Sequence, residues 1–414
     1  MFFLSTVSLL LSINLFVTLR KPFPLVVLGF MVRLLVGELA PFILLIQVAS
    51  TALIVACGGA ITPLALIILA TSWCLLLAYI IEAMHSTTTL STQMDELYGI
   101  SSAQAQTPFD LVPEGIDKDL VKRTLRPFSI RLPNVRCRRD LVYGQAGDTF
   151  LKLDLYTPRE AVYEQAPVMM FIHGGGLLDG AGTKTGQGLP LINELCHRGW
   201  VVASIDYRLS PSSRWPAHLQ DCKTALGWIH REIAEHGGNP GFVLVSGDSA
   251  GGQLAALMAL TANQPRFQPG NEEQDTRVQG AICHYGVMDF GNLHDCQHNP
   301  AITSLWLTRV MGENSKFDVE SASPITATRA DELDPATIPP CLVLHGDRDN
   351  MVAVAESRLF ARKLIDCSPE PVIYAELRGA EHGYNMFRSL RSELALRQCA
   401  RFAEWLYERH QKPG

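Results

Sequence analysis

Three long apolar runs set the first 84 residues apart from the rest of the chain. They cover residues 2–19, 40–57 and 63–81, and none of them contains a charged residue. Each run is close to the ~20 residues with which a helix spans the hydrocarbon core of a bilayer. The pattern therefore predicts a transmembrane region over residues 1–84 with about three spans.

The segment between the first two runs is also apolar, but it carries charge. Arg33 interrupts residues 25–36, and Glu38 follows closely. This segment either extends the second span or lies at the membrane interface, and totals of two or four spans also fit the pattern. The first run lacks the basic residues that precede the apolar core of a signal peptide, and further apolar runs follow it. Both features favour an anchor over a cleaved signal.

Basic residues near the ends of the spans predict an orientation. Arg20, Lys21 and Arg33 all lie between the first two predicted spans. Because loops rich in Lys and Arg tend to remain in the cytoplasm, a third span would also end there. The C-terminal part of this multi-pass protein would then face the cytosol. Residues 85–133, which include the polar stretches 86–91 and 101–106, are expected to form a linker with a short helical segment near 116–125.

From residue 134 the pattern changes to alternating strands and helices. Apolar runs without alternation are typical of strands covered on both faces. The predicted strands are 135–145, 149–156, 167–172, 201–206, 242–246, 278–285, 341–345 and 372–376, and the predicted helices are 189–198, 215–236, 249–261, 354–365 and 391–409. This order predicts an α/β domain over residues 134–414, with a mostly parallel central sheet flanked by helices.

Composition narrows the possible functions. Charged residues make up 18% of the 414 residues, below the usual quarter of a soluble chain, which fits a membrane part. The net charge of −6 gives no basic excess that would favour nucleic-acid binding. The ten cysteines are scattered without a CxxC pair, so neither a disulfide framework nor a zinc site is expected.

The strongest chemical signal is the sequence Gly247-Asp248-Ser249-Ala250-Gly251, which fits G-x-S-x-G. It lies directly after the predicted strand 242–246 and before the predicted helix 249–261. A sharp strand-to-helix turn of this kind exposes a nucleophilic serine above the sheet, and small flanking residues are needed there for steric reasons. We therefore expect Ser249 to be a nucleophile.

A second signal is His173-Gly174-Gly175-Gly176, immediately after the predicted strand 167–172. Glycines allow backbone N–H groups to approach a substrate oxygen closely. The N–H groups of Gly174 and Gly175, together with that of Ala250, could form an oxyanion hole for a tetrahedral intermediate.

A serine hydroxyl needs a histidine base, and that histidine needs a carboxylate to orient it. Downstream of Ser249, His382 follows the last predicted strand, and Asp347 and Asp349 follow the strand before it. The expected chain order is Ser, then Asp, then His. We predict His382 as the base and Asp349 as its partner, with Asp347 as the rival carboxylate.

The segments 173–176 and 247–251 together resemble the hormone-sensitive-lipase-like carboxylesterases, the α/β-hydrolase-3 group. The resemblance covers about residues 141–407 and includes the sequence Tyr207-Arg208-Leu209-Ser210-Pro211. Residues 345–352 depart from the family and look more like the H-G-x-x-D-x-x-V loop of related carboxylesterases and prolyl-peptidase-like hydrolases, an alignment that selects Asp349. The resemblance implies an α/β-hydrolase fold, here preceded by transmembrane helices. The apolar N-terminus is similar to that of some membrane-attached bacterial esterases and of isoprenylcysteine methylesterases.

These features predict a serine carboxylesterase or lipase that works through an acyl-enzyme, without a cofactor or metal. The expected partners are a small-molecule ester, including a lipid-derived one, and the bilayer, but no nucleic acid. The alternatives are hydrolysis of an amide, peptide or prenylated methyl ester, and a non-catalytic membrane scaffold. Residues 303–311, which include Leu305 and Trp306, form either a lid that lines an acyl pocket or ordinary core packing.

Overall fold

The computed structural model describes residues 2–17, 22–99, 116–130, 134–312, 316–329 and 333–412. Within these residues, the strands are β1 Val135–Ala146, β2 Thr149–Pro158, β3 Ala166–Ile172, β4 Val201–Ile205, β5 Gly238–Asp248, β6 Gly280–His284, β7 Cys341–Gly346 and β8 Val372–Leu377. They form one sheet in the order β1-β2-β4-β3-β5-β6-β7-β8. Strand β2 is antiparallel to β1 and β4, whereas β3 to β8 run parallel. The predicted α/β-hydrolase arrangement of a mostly parallel sheet is confirmed.

Helices flank this sheet and precede it in the chain. The N-terminal helices are α1 Phe2–Asn14, α2 Phe23–Glu38, α3 Ala40–Ala56, α4 Pro63–Met84, α5 Thr88–Leu97 and α6 Lys118–Thr124. The later helices are α7 Leu189–His197, α8 Ala217–Glu232, α9 Ala250–Leu260, α10 Pro300–Trp306, α11 Lys316–Ser321, α12 Pro324–Ala327, α13 Val354–Cys367 and α14 Leu390–Gln411.

Two hydrophobic clusters cover the two faces of the sheet. All seven residues of β3 are buried, as expected for a strand covered on both sides. Successive side chains of a strand point to opposite faces. Met170 and Ile172 accordingly belong to the cluster that contains side chains of α8 and α9. Met169 and Phe171 belong to the cluster that contains side chains of α7 and α14.

The prediction of about three membrane spans is not supported. Among the described residues, one helical stretch, Pro63–Leu97, is long and apolar enough to cross a bilayer. Helix α1 has 13 residues, and at ~1.5 Å per residue it is too short for a hydrocarbon core about 30 Å thick. Helices α2 and α3 meet at a bend of 78°, so at most they form one broken span. The cytosolic orientation depended on the count of three and no longer follows.

The predicted linker is only partly irregular. Residues 101–106 lie outside the described residues. Helix α5, which falls in the predicted linker, is described, and it packs against the sheet-bearing domain formed by residues 134–414. Leu90 and Met94 of α5 are fully buried in the cluster shared with α14. Asp95 pairs with Arg401 at 2.7 Å. The stretch that could cross a bilayer therefore ends in a turn and a helix that are anchored on the domain.

The N-terminal helices dock onto the same domain through buried polar contacts. Glu38 of α2 pairs with Arg391 of α14 at 2.5 Å, and both side chains are almost completely buried. Arg33 of α2 pairs with Glu381 at 3.0 Å, and neither side chain is exposed. Charged residues in apolar helices are costly unless they are paired, so these contacts specify where α2 lies. Helix α2 therefore lies beside the carboxyl ends of β7 and β8.

Candidate active site

Ser249 lies in a sharp turn between β5 and α9. Its φ of 56° is in the left-handed region, which residues other than glycine rarely adopt. The flanking glycines are sterically required. A Cβ on Gly247 would come within 2.2 Å of the carbonyl oxygen of Gly251, and a Cβ on Gly251 within 2.0 Å of that of Ile172. Held in this conformation, the serine projects from the carboxyl end of β5, as its motif predicts.

The structure brings the three predicted side chains into one hydrogen-bonded chain. The Nε2 atom of His382 lies 2.9 Å from Oγ of Ser249. The Nδ1 atom of the same ring lies 2.7 Å from Oδ2 of Asp349. Because these residues follow β5, β7 and β8, the carboxyl ends of parallel strands in one half of the sheet place them together. This geometry suits proton transfer from the hydroxyl to the imidazole.

Asp349 is held as an anion. Its Oδ1 accepts hydrogen bonds from the N–H groups of Met351 and Val352, at 2.8 and 2.7 Å. Its Oδ2 also lies 3.1 Å from Nε2 of His345. Burial on its own would raise the pKa of Asp349, but His382 and His345 outweigh it, so the pKa of this carboxyl lies below its ordinary value.

Asp347, the rival carboxylate, faces another way. Its Oδ1 accepts a hydrogen bond from the N–H of Gly379 at 2.7 Å. Burial raises the pKa of Asp347, in contrast to that of Asp349. Asp347 therefore fastens the loop after β7 to the loop after β8, whereas Asp349 contacts the imidazole.

In the glycine-rich loop after β3, one of the three predicted oxyanion donors already has a hydrogen-bond partner. The N–H of Gly174 donates to Oε1 of Gln187 at 2.6 Å and is therefore already occupied. Gly175 and Gly176, unlike Gly174, line an apolar cavity that opens beside Ser249 and is described below. Gly175 has a φ of 112°, and a Cβ there would lie 2.8 Å from the main chain at Ala181. The sequence identified the loop, but the direction of each N–H depends on a backbone path that the motif does not reveal.

An apolar cavity of about 460 Å³ opens beside Ser249 and His382. One wall is formed by α2, which is remote in sequence from the G-x-S-x-G motif. Another wall comes from α10, and loops after β3, β7 and β8 complete the lining. The helical side chains that line the cavity are Phe23, Phe30, Met31, Leu34 and Leu35 of α2, and Ile302, Leu305 and Trp306 of α10.

The two roles considered for residues 303–311, lining a pocket and packing in the core, apply to different parts of that segment. Leu305 and Trp306 line the cavity. Val310 and Met311, in the following helical turn, are buried at 0% and 8% exposure within the cluster that also contains α8 and α9. The amino-terminal half of this segment thus lines the pocket and the carboxyl-terminal half belongs to the core.

Sequence reasoning missed the contribution of α2 and of Glu381 to the site. The ring of Phe30 packs edge-on against the ring of His382, with 6.2 Å between their centroids. Glu381, directly before the predicted base, accepts hydrogen bonds from the N–H of His382 and from that of Asn350. The available signal was charge: Arg33 and Glu38 stand in an apolar stretch, where such residues need buried partners.

Nothing in the described part of the chain suggests a metal site. There, no group of three or more His, Cys, Asp or Glu side chains is arranged to hold an ion. Within the described residues, the side chains of the site form hydrogen bonds with one another and with the main chain. The arrangement is suited to nucleophilic acyl transfer.

Comparison with known proteins places the sheet-bearing domain among esterases. The family model BD-FAE matches residues 153–364, just over half of the chain. The chain is 41% identical over 257 residues to the probable carboxylic ester hydrolase LipM of Mycobacterium tuberculosis, an alignment that covers 61% of this chain and 57% of LipM. It is 37% identical to esterase LipQ of the same organism, with 65% of this chain and 62% of LipQ covered. The chain thus spans less than two thirds of either relative.

The fold is similar to solved esterase structures. Esterase B from Lactobacillus rhamnosis HN001 superposes with a TM-score of 0.56 at 18% identity, covering 79% of this chain and 98% of that one. At this identity the likeness concerns the fold, and it agrees with the parallel sheet described above.

Proposed function

The chain belongs to the BD-FAE family, and we propose that it hydrolyses carboxylic esters with Ser249 as its nucleophile. The observation that carries the proposal is the hydrogen-bonded chain Ser249–His382–Asp349 at the wall of an apolar cavity. The resemblance of the chain to LipM and LipQ supports the same reaction class. The sheet-bearing domain, residues 134–414, is the proposed catalytic domain.

In the proposed mechanism, His382 takes the proton of Ser249 as Oγ attacks the ester carbonyl carbon. The imidazolium that forms is stabilised by the Asp349 carboxylate through Nδ1. The tetrahedral intermediate collapses when His382 returns the proton to the leaving alcohol, which leaves an acyl group on Ser249. Water, activated by the same imidazole, then attacks the acyl-enzyme and releases the acid and the free serine.

Backbone N–H groups at the cavity wall are the proposed oxyanion donors. Because the Gly174 N–H is donated to Gln187, the proposed donors are Gly175, Gly176 and Ala250. Ala250 is the first residue of α9, where the helix N-terminus adds positive potential. Each such donor typically contributes about 3 kcal/mol of transition-state stabilisation.

The cavity favours a hydrophobic acyl group. Its helical lining is almost wholly aliphatic or aromatic, and a volume of about 460 Å³ is in the range of small-molecule sites. Burial of each methylene contributes about 0.8 kcal/mol, so selectivity for longer chains accumulates along the pocket. We therefore propose a hydrophobic or lipid-derived ester as the substrate class.

The proposal is tested by hydrolysis of p-nitrophenyl esters from acetate to palmitate by the full chain in detergent micelles, beside its Ser249→Ala variant. Turnover that the variant lacks supports the proposal, and the profile of kcat/KM against chain length defines the acyl group. If a folded full chain hydrolyses none of these esters, the assignment is overturned. Amides, prenylated methyl esters and a non-catalytic scaffold would then be examined.

A bulkier residue on α2 should shift the preference for chain length. Met31 lines the cavity and is 44% exposed, so a tryptophan there has room to enter the pocket without disturbing the core. We expect Met31→Trp to lower kcat/KM for long-chain esters by about tenfold, while acetate is little affected, because several methylenes lose their contacts. Leu28→Trp is the matched control, since Leu28 is 57% exposed on the same helix and does not line the cavity. A change of equal size in both variants would contradict α2 as the acyl wall.

We also propose that α4, the apolar first part of the helical stretch Pro63–Leu97, anchors the chain in a bilayer. Ile67 and Leu77 are exposed on α4, where lipid would cover them. An arginine costs about 3 kcal/mol of membrane insertion at the centre of a span and less near its ends, where Ile67 lies. The double variant should therefore be released from membranes by alkaline carbonate while the unaltered chain is retained. Val142→Arg with Val162→Arg is the control, because both valines are exposed on the catalytic domain. Retention of the Ile67/Leu77 variant would count against this anchor.

A further inference from the structure

Glu381 connects the two loops that carry His382 and Asp349. It is completely buried. Its Oε1 accepts hydrogen bonds from the N–H of Asn350 at 2.6 Å and from that of His382 at 3.0 Å. Asn350 is the neighbour of Asp349 in the loop after β7. One carboxylate oxygen therefore fixes the main chain beside both partners of the imidazole–carboxylate pair.

The other oxygen of Glu381 is held by an arginine from the N-terminal region. Arg33 of α2 is fully buried and donates from Nη1 to Oε2 of Glu381 at 3.0 Å. Its remaining donors contact main-chain carbonyls of Asn14 at 3.1 Å, Val17 at 2.5 Å and Arg348 at 2.8 Å. The guanidinium thus joins the end of α1 and the loops after β7 and β8 at one point, for which its rigid fork of donors is well suited.

The charges that face Glu381 explain why it needs this arginine. Burial and the nearby Asp349 carboxylate raise the pKa of Glu381, and Arg33 opposes that rise. All three recorded partners of its side chain are N–H donors, which suit an ionised carboxylate because that form only accepts hydrogen bonds. The other groups near it are His382, Arg348 and the hydroxyl of Tyr79 on α4.

We infer that Arg33 is a positioning residue, which favours the ionised form of Glu381 and through it holds His382 and Asp349 within hydrogen-bonding distance of each other and of Ser249. The inference rests on the proposed function of those three residues. Arg33 lies far outside the matched segment 153–364, so the N-terminal region supplies part of the active-site support in addition to any anchoring. A chain shortened to begin near Ser86 would lose this support as well as the α2 wall of the cavity.

The test uses the full chain in detergent micelles with p-nitrophenyl acetate, which is soluble in water and does not need the long acyl pocket. We expect Arg33→Met to lower kcat by at least about tenfold and up to about 100-fold, because small misplacement of the reacting groups costs rate, while KM stays within about threefold. Arg33→Lys, which retains the charge, should recover part of the loss. It also provides a folded variant should Arg33→Met fail to fold.

The dependence on pH separates positioning from simple loss of stability. Without the Arg33 charge, Glu381 binds its proton more tightly, so the kcat profile of Arg33→Met should shift to higher pH than that of the unaltered chain. In the double variant Arg33→Met with Glu381→Gln, no carboxyl titrates at this position, and the amide oxygen can still accept from both N–H groups. Because the neutral amide resembles the protonated carboxyl, that variant should lack the alkaline shift, and its kcat should stay as low as that of Arg33→Met at acid pH.

Glu38→Gln is the matched control, because it breaks the other buried ion pair of α2 without touching His382 or Asp349. It should lower the melting temperature but leave kcat and its pH profile unchanged. The inference is overturned if Arg33→Met retains the kcat of the unaltered chain, if Glu38→Gln lowers kcat to the same extent, or if the double variant keeps the alkaline shift. If the unaltered chain itself has no turnover, it is the proposed function that fails.

Discussion

The Ser249→Ala variant should lose about 10⁴-fold or more in kcat towards any ester that the chain hydrolyses. The hydroxyl is the only atom group removed, and it is the proposed attacking nucleophile, 2.9 Å from the imidazole. What activity remains would come from water attacking a bound ester in the oxyanion hole. The rates are compared under saturating ester, so that binding does not contribute.

Ser246→Ala is a matched control for that variant. Ser246 lies three residues earlier on β5, is fully buried, and its Oγ has no hydrogen-bond partner among the described residues. Loss of an unpaired buried hydroxyl should leave both activity and stability nearly unchanged. A fluorophosphonate should label the unaltered chain and the Ser246→Ala variant, but not Ser249→Ala. Full activity or labelling of Ser249→Ala would exclude this residue as the nucleophile.

The central strands of the sheet could be predicted because they are buried on both faces. A run such as 167–172 is apolar at every position, and only a central strand or a buried helix can accommodate that. All eight predicted strands occur in the structure, with ends shifted by a few residues. In a parallel sheet the loops at the carboxyl ends converge, so Ser249, Asp349 and His382 could be expected to meet once their strands were located.

The role of the N-terminal helices could not be read from the same pattern. Apolarity reports that a side chain avoids water, but it does not tell whether lipid or protein takes its place. Helix α2 is apolar because it covers the cavity and the edge of the domain, with Leu34 2% exposed, while Leu28 on its outer face remains 57% exposed. Arg33 indicates the protein-facing side, but its partner Glu381 lies 348 residues away in sequence.

The contacts of α3 also show why counting apolar runs overestimates the number of membrane spans. Ala40–Ala56 is apolar throughout apart from a few polar residues, and Gln47 and Thr51 of this helix are buried. Gln47 accepts a hydrogen bond from Ser72 of α4 at 3.1 Å. Polar contacts between helices of this kind fit a packed helical layer, so apolar length alone overestimates the number of spans.

Exchange of Asp349 for asparagine should lower kcat by about 10⁴-fold, whereas Asp347→Asn should cost less than about tenfold. The asparagine retains an oxygen for the N–H groups of Met351 and Val352, so the loop after β7 should keep its shape. Its amide cannot stabilise the imidazolium, and an NH₂ group facing Nδ1 selects the wrong tautomer of His382. Melting temperatures measured beside the rates separate this effect from unfolding.

Asp347→Asn is a demanding control because Asp347 lies only two residues from Asp349 in the same loop after β7. Its oxygen would still accept from Gly379, and burial already raises the pKa of Asp347, so the neutral amide replaces the charge at little cost. A large loss in both variants would mean that the loop acts as a unit, and a larger loss in Asp347→Asn would reverse the assignment. A loss confined to Asp349→Asn would identify the carboxylate by its effect on the imidazole, since Asp349, unlike Asp347, lies 2.7 Å from Nδ1.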